Sequence, residues 1–262
     1  MPESFGDRYI VTNIPDYRLQ VVNEGVTTLE MPVVVGKPKH MTPVFTAEMN
    51  HLVVNPTWTV PRSIANKELV PSERANPGYL QSKGYNVLAS EGSRISYDSL
   101  NPDVWYKEKF PYTLRQKPGK RNALGKVKFM MPNRHSIYLH DTPAKKLFAK
   151  NRRAYSHGCV RVGEPRELAN HLLQQEGWKP GEIEKLFART KTKRINFSRP
   201  LQNHIVYLTS WVDDEGVLQF RNDVYGQDKR VAKALAAESD QRFALLEDFR
   251  SLQPVVFAEQ TE

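Results

Sequence analysis

AYSHGCVRV, residues 154–162, carries the only cysteine of the chain, Cys159, set between a glycine and a valine two places after His157. A lone cysteine is most often a small buried hydrophobe, so its neighbours decide whether it does chemistry. A thiol attacks as the thiolate and needs a base or a positive field to bring its pKa toward neutrality. Two histidines qualify: His157, and His140, nineteen residues before the cysteine. In an extended segment His157 and Cys159 share a face about 6 to 7 Å apart, from a rise of roughly 3.3 Å per residue, which makes direct pairing awkward unless the chain turns at Gly158. His140 approaches from another strand with its ring free, and is the preferred base. Gly158 lets the backbone come close to a substrate and leaves amide N–H groups for an oxyanion hole.

Upstream, KVKFMMPNRHSIYLHD (126–141) alternates with period two, placing Ser136, Tyr138 and His140 on one face and Ile137 and Leu139 on the core face. Thr142 is an N-cap candidate with Pro143 at the first helical position, opening a short helix through KKLFAK. Downstream, EPRELANHLLQQEG is an amphipathic helix with Leu168, Leu172 and Leu173 on one stripe and Gly177 as its stop, and KPGEIEKLFART starts another at Pro180. Residues 8 to 36 form a meander of short β-branched strands, and EMNHLVVNPTW adds a strand ending near Pro56 and Trp58. From about residue 60 to 132 the texture changes to Pro, Gly, Asn, Ser and Tyr, which marks an inserted subdomain whose aromatics form its own small core. NHIVYLTSWV and VLQFRNDVY flank DDEG as a hairpin that completes a sheet, and residues 228–252 carry a long C-terminal helical pattern.

The 262 residues, 39% hydrophobic, bury a real core. No window holds the roughly 18 to 20 apolar residues of a membrane span, and the first residues, MPESFGDRYIV, lack a charged start followed by an apolar run, so the chain reads as soluble with no membrane segment. A net charge of +9 favours acidic partners, but the basic residues are thinly spread and belong to no nucleic-acid module. One cysteine excludes an internal disulfide framework and a cysteine-based zinc cluster. A metal site using His157 and Cys159 with His135 or His140 has no familiar ligand spacing, and neither a metal nor another cofactor is expected.

His140, then Ser156-His157-Gly158-Cys159-Val160-Arg161, resembles the signature of the YkuD-like L,D-transpeptidases: a histidine on a strand, a spacer, then SHGC, an aliphatic residue and often Arg or Asn. With NPTWTVP, NALGKVKFMMPN and FRNDVY, the chain is similar to the large periplasmic subgroup, whose members are usually longer. The resemblance implies a mostly β fold with α elements, a sandwich or barrel-like catalytic core spanning 1–262, with residues 60–132 inserted as a substrate-capping lid and a C-terminal helix. It implies that Cys159 attacks the L-centre carbonyl of diaminopimelate in a donor tetrapeptide stem, releases D-alanine and forms a thioester, which the side-chain amine of a second peptidoglycan stem resolves. His140 is then the base, held by a backbone carbonyl near Asp141, with Gly158, Cys159 and Tyr138 around the oxyanion. Arg161 is a candidate for a substrate carboxylate or for a structural ion pair, His157 for substrate contact, and Trp58, Asn55 and Asn122 for pocket walls. Carbapenem-type β-lactams are expected as covalent inhibitors, and a periplasmic location follows from the family alone. Water or a lipoprotein lysine as acceptor, or a silent peptidoglycan-binding module, are the readings that compete.

Overall fold

The computed structural model describes residues 5–237. The chain separates into two compact units, residues 1–208 and 209–262, where a single domain through residue 262 was expected.

In the first unit the β-rich pattern becomes one sheet. Its strands are β1 (Arg8–Asn13), β2 (Arg18–Asn23), β3 (Val26–Gly36), β4 (Phe45–Val54), then after the insertion β9 (Val127–Met130), β10 (Leu139–His140), β11 (Ala154–Ser156), β12 (Val160–Val162) and β13 (Lys193–Val206). The order is β11-β3-β12-β10-β9-β4-β13-β1-β2, and β2 pairs back onto β3. That pairing closes eight strands into a barrel with β11 alongside, so the barrel has no open edge. Alternate side chains fill its interior: Ile10, Leu19, Val33, Leu52, Phe129, Leu139, Val160 and Leu201 are all buried. The expected amphipathic helix runs Pro165–Gln175 with Leu168, Leu172 and Leu173 buried, and the next covers Pro180–Ala188. Gly177, at φ +85°, turns the chain out of the first in a conformation that side chains resist.

The insertion folds around its own sheet, β5 (Trp58–Thr59), β6 (Tyr85–Leu88), β7 (Arg94–Ile95) and β8 (Thr113–Gln116), in the order β5-β8-β6-β7. Its core holds Val60, Leu69, Val70, Leu80, Val87, Leu100, Phe110 and Leu114. Trp105 stacks on Phe110 at 4.9 Å, so the aromatics do build that core. A helical run crosses it as Arg62–Ile64, a π-type stretch Ala65–Leu69 and Val70–Ala75. The 60–132 boundary is corrected at both ends. The inserted sheet starts at Trp58 and ends at Gln116, and β9 belongs to the barrel, paired with β4 on one side and β10 on the other.

Two local expectations fail. Thr142 caps no helix: its Oγ1 accepts the Ala144 N–H, and the 3-10 turn begins only at Lys145. The hairpin forms as β14 (Ser210–Val212) and β15 (Leu218–Phe220), but these make a two-stranded sheet of their own in the second unit and complete no larger one. Residues 227–237 are helical, and the remainder of the expected C-terminal helix lies outside the described residues.

Candidate active site

The parallel pair β10–β12 sets Leu139 against Val160 and His140 against Arg161, while antiparallel β9 sets Lys128 against His140. Opposed residues in a ladder share a face, and so do residues two apart on one strand. Lys128, His140 and Arg161 therefore form a row across three strands, with Cys159 just before β12 on the same side as Arg161. Leu139 and Val160, fully buried, anchor the row from the core side.

His140 is buried, and its Nδ1–H donates to the Asp141 carbonyl, leaving Nε2 as an acceptor. Burial first, then the cationic Arg161, push its pKa down to about 4, so the ring is neutral at physiological pH. Asp141 acts through its backbone. Its carboxylate accepts the N–H groups of Lys126 (2.7 Å) and Thr142 (2.6 Å) and pairs with Lys145 at 2.8 Å, which fixes the carbonyl that orients His140.

The turn that carries Cys159 is built by Ser156. Its buried hydroxyl donates to the Cys159 carbonyl at 2.5 Å and accepts the Gly158 N–H at 3.1 Å. Gly158 sits at φ +115°, and a Cβ there would stand 3.1 Å from Ile137 Cδ1, so the position suits only glycine. The expected Gly158 oxyanion donor is thereby corrected: that amide is engaged by Ser156. The Cys159 amide has no acceptor among the described residues and is the available donor.

Cys159 Sγ–H donates to the Ser136 carbonyl at 3.8 Å, and the Tyr138 backbone and hydroxyl pull the thiol's pKa down. Trp58 lines the same cavity as Tyr138 and acts on the Tyr138 hydroxyl, lowering its pKa against the effect of burial. The thiol's surroundings do not lower its pKa as the sequence implied. Burial pushes it up to about 11, against the opposing pull of Tyr138, Arg161 and Lys128. The thiol and the imidazole, both neutral at rest, line the same cavity, with the thiol turned to the Ser136 carbonyl.

His157 turns away from the thiol, its Nε2 2.6 Å from Glu68 Oε1 in the insertion's helical run and 3.3 Å from Lys37 Nζ. Its ring also packs on His40 at 5.0 Å. A cavity of about 640 Å³ opens over the site, lined from the barrel by His140, Cys159 and Arg161 and from the insertion by Trp58, Ile64 and Glu68. Asn55 and Asn122 stand outside its wall. Asn55 is buried, bonded to the Arg189 carbonyl and to Lys126 Nζ, and Asn122 bridges the Pro56 and Lys117 carbonyls. Both are structural, because a buried amide must satisfy its own donors and acceptors. The sequence reading missed Lys128, Glu68 and the role of Ser156. A serine two places before a glycine is a turn signal that was there to be used, whereas the strand register that brings Lys128 to His140 leaves no local trace. Among the described residues no cluster of three or more His, Cys, Asp or Glu is placed to hold a metal.

Fold and site together define a closed β-barrel with a Cys–His pair under an inserted sheet. The chain belongs to the YkuD family, the L,D-transpeptidase catalytic domain, whose family model matches residues 7–193. It is 36% identical over 222 residues to a Haemophilus influenzae (strain Rd) protein that carries L,D-transpeptidase as a provisional name, an overlap of 85% of this chain and 45% of that one. The chain thus spans less than half the length of that relative. Solved structures matched include an L,D-transpeptidase from Mycobacterium smegmatis, at 14% identity and TM-score 0.36 over 76% of this chain and 58% of that one. Another is the catalytic domain of the E. faecium enzyme, at 11% identity and TM-score 0.33 over 78% of this chain and all of that one.

Proposed function

We propose that the protein cross-links peptidoglycan stem peptides between diaminopimelate residues through a Cys159 thioester. What supports the reading is that Cys159 and a His140 whose Nε2 is left as an acceptor line one cavity, with the Cys159 amide unpartnered among the described residues. In the acylation step Sγ attacks the donor's L-centre carbonyl, forming the S–C bond while its proton passes to His140 Nε2. The oxyanion is met by the Cys159 amide. On collapse the C–N bond breaks, and His140 returns the proton to the leaving nitrogen of D-alanine. In the second step the neutral side-chain amine of the acceptor attacks the thioester, His140 takes the amine proton, the C–S bond breaks and the thiolate is reprotonated. Neutral partners at rest suit this sequence, since the proton moves only as charge develops.

Residues 58–116 act as the lid of this reading, holding the donor and keeping water from the thioester, which favours the amine over hydrolysis. Trp58 and His157 contribute through Tyr138 and Glu68, Arg161 through the donor itself. A carbapenem presents a strained carbonyl to the same sulfur and acylates it, and the site of action is the periplasmic cell wall. Mass spectrometry of disaccharide tetrapeptide after incubation tests the proposal. A cross-linked dimer that has lost one D-alanine is the expected product, a trimmed tripeptide identifies water as acceptor, and unchanged substrate overturns the enzymatic reading.

A further inference from the structure

The positive charge of the chain is concentrated in space, although its basic residues look thinly spread along the sequence. Residues 109–140 and 185–212 contain no Asp or Glu and carry eight and six Lys and Arg respectively. Without these fourteen the chain has 24 Lys and Arg against 29 Asp and Glu, so the remainder is net negative. The fold brings the two runs together at Asn55 and Pro56, where the chain leaves β4. Asn55 donates to the Arg189 carbonyl at 2.7 Å and accepts Lys126 Nζ at 3.1 Å, and its own carbonyl accepts the Thr192 hydroxyl at 2.7 Å. Asn122 donates to the Pro56 carbonyl at 3.0 Å and to the Lys117 carbonyl at 2.8 Å. These two buried amides clamp the loop 117–122 and the segment 189–193 onto one stretch of chain.

Lys117, Lys120 and Arg121 from the first run and Arg189, Lys191 and Lys193 from the second are all exposed. Among the described residues none of them forms an ion pair. An exposed cation needs no partner, so that alone decides nothing. Gathering like charges on one surface, however, is self-repulsive and favours an anionic ligand there. The surface begins where the cavity wall ends: Ala123 and Leu124 follow Asn122 directly and line the cavity, as does Trp58, two residues after Pro56.

We infer that this basic surface docks the peptidoglycan strand, holding the carboxylates of stems next to the one that enters the cavity, so that the protein acts on the polymer in preference to free fragments. The occupant rests on the proposed function. Position favours it over other polyanions, since only a ligand continuous with the substrate must pass beside the cavity. Its charge fits as well. An uncross-linked stem keeps one amine and one carboxylate on its diaminopimelate and adds a terminal carboxylate, so it is net anionic and the strand repeats that charge. Lysines predominate on the surface, and as flexible point charges they suit dispersed carboxylates rather than one fixed fork. Each contact is weak alone, but a stem held in the cavity raises the effective concentration of its neighbours at the surface.

Co-sedimentation of the Cys159→Ala chain with purified sacculi reads docking without turnover. The half-saturating concentration should rise about tenfold between roughly 50 and 300 mM salt, and amidating the carboxylates of the sacculi with carbodiimide should raise it at least about tenfold. Lys120→Glu/Arg121→Glu and Lys191→Glu/Lys193→Glu should each raise it about tenfold. Lys146→Glu/Lys150→Glu makes the same change in net charge on the turn packed against β3, and should move it less than about twofold. An equal effect of all three pairs reads net charge only and overturns the surface, as does binding indifferent to salt and to amidation. At about 150 mM salt, equal or tighter binding to phosphatidylglycerol vesicles or duplex DNA, weakened by the same two pairs, gives the surface another occupant and overturns the inference. With Cys159 intact, the two pairs should raise KM for strands of several stems about tenfold and KM for a disaccharide tetrapeptide less than about twofold. Equal shifts for both substrates place the cations in the cavity and overturn the docking role. If sacculi bind as expected and no substrate of any kind is turned over, the proposed function has failed and the docking surface has not.

Discussion

The barrel and the inserted sheet line one cavity but hold it in different ways. On the barrel side the reacting groups are fixed by backbone: strand pairing sets His140 against Arg161, a carbonyl orients the imidazole, and Ser156 ties the nucleophile turn at both ends. On the insertion side the links are between side chains, Trp58 to the Tyr138 hydroxyl and Glu68 to His157. Backbone pairing within a closed sheet is cooperative, whereas exposed side-chain contacts break singly and cost little. On the proposed function, chemistry belongs to the barrel and access to the insertion, and variants on the two sides should separate along that line.

The largest effect belongs to the barrel. Cys159→Ala should abolish turnover and the carbapenem adduct expected by intact mass, with thermal stability changed by no more than a few degrees, because one sulfur atom is lost at a residue outside the fully buried core. Residual cross-linking in that variant refutes the thioester route and removes the basis for dividing the molecule as above.

His140→Gln should lower turnover by about 10²- to 10⁴-fold while leaving the alkylation profile of the thiol almost unmoved, because a neutral ring contributes no charge to the thiolate. With the thiol pKa pushed up to about 11, the wild-type alkylation rate should climb about tenfold per pH unit from 7 to 10 without a plateau. A plateau near neutrality marks a resting thiolate–imidazolium pair and contradicts the neutral ground state. The stability sign follows from the same residue. His140 titrates near 4 when folded and near 6.5 when unfolded, so the unfolded chain binds the extra proton first as pH falls. The contribution is present above about 6.5 and is lost as pH falls toward about 4, and His140→Gln should flatten that part of the curve of melting temperature against pH.

The core of this site was legible because its signals are local. The SHGC turn and the amphipathic helix at Pro165 are patterns within a few residues, and each has its counterpart in the structure, whereas the alternation read through Ser136 and Tyr138 does not: the strand is only Leu139–His140 and Ser136 sits at φ +56°. Barrel closure was not legible, since it depends on β2 pairing both β1 and β3 and on β1 lying parallel to β13, some two hundred residues away. The same reason hid Lys128, whose relation to His140 exists only through register. Asn55 and Asn122 were misread for a different cause: an asparagine beside a proline or in a loop looks alike whether it faces a ligand or closes a turn, and only the partners of its amide decide.

On the insertion side Trp58→Phe keeps the ring and removes the indole N–H that acts on the Tyr138 hydroxyl. Acylation should slow about tenfold through a less well fixed Tyr138, with the alkylation rate by a small reagent changed less than threefold. Equal losses in both assays would put Trp58 with the barrel's machinery and blur the comparison.

Glu68→Gln should give the smallest effect and the sharpest answer about access. Glu68 and His157 are both partly exposed, with side-chain exposures of 44% and 26%, so their hydrogen bond is worth about 1 kcal/mol or less and melting temperature should barely change. The substitution keeps the size of the side chain and a possible hydrogen bond, and removes only the charge that draws His157 and Lys37 toward the insertion. If that contact holds the lid down over the thioester, its weakening admits water without touching the nucleophile: acylation by a carbapenem should proceed at the wild-type rate while the share of hydrolysed over cross-linked product rises about twofold to threefold. Raising salt should shift the wild-type product ratio in the same direction and leave the variant unaffected, since exposed pairs are screened. An unchanged product ratio in both experiments would mean that Glu68 decorates the cavity mouth without closing it, and that access is governed by the Trp58 contact alone.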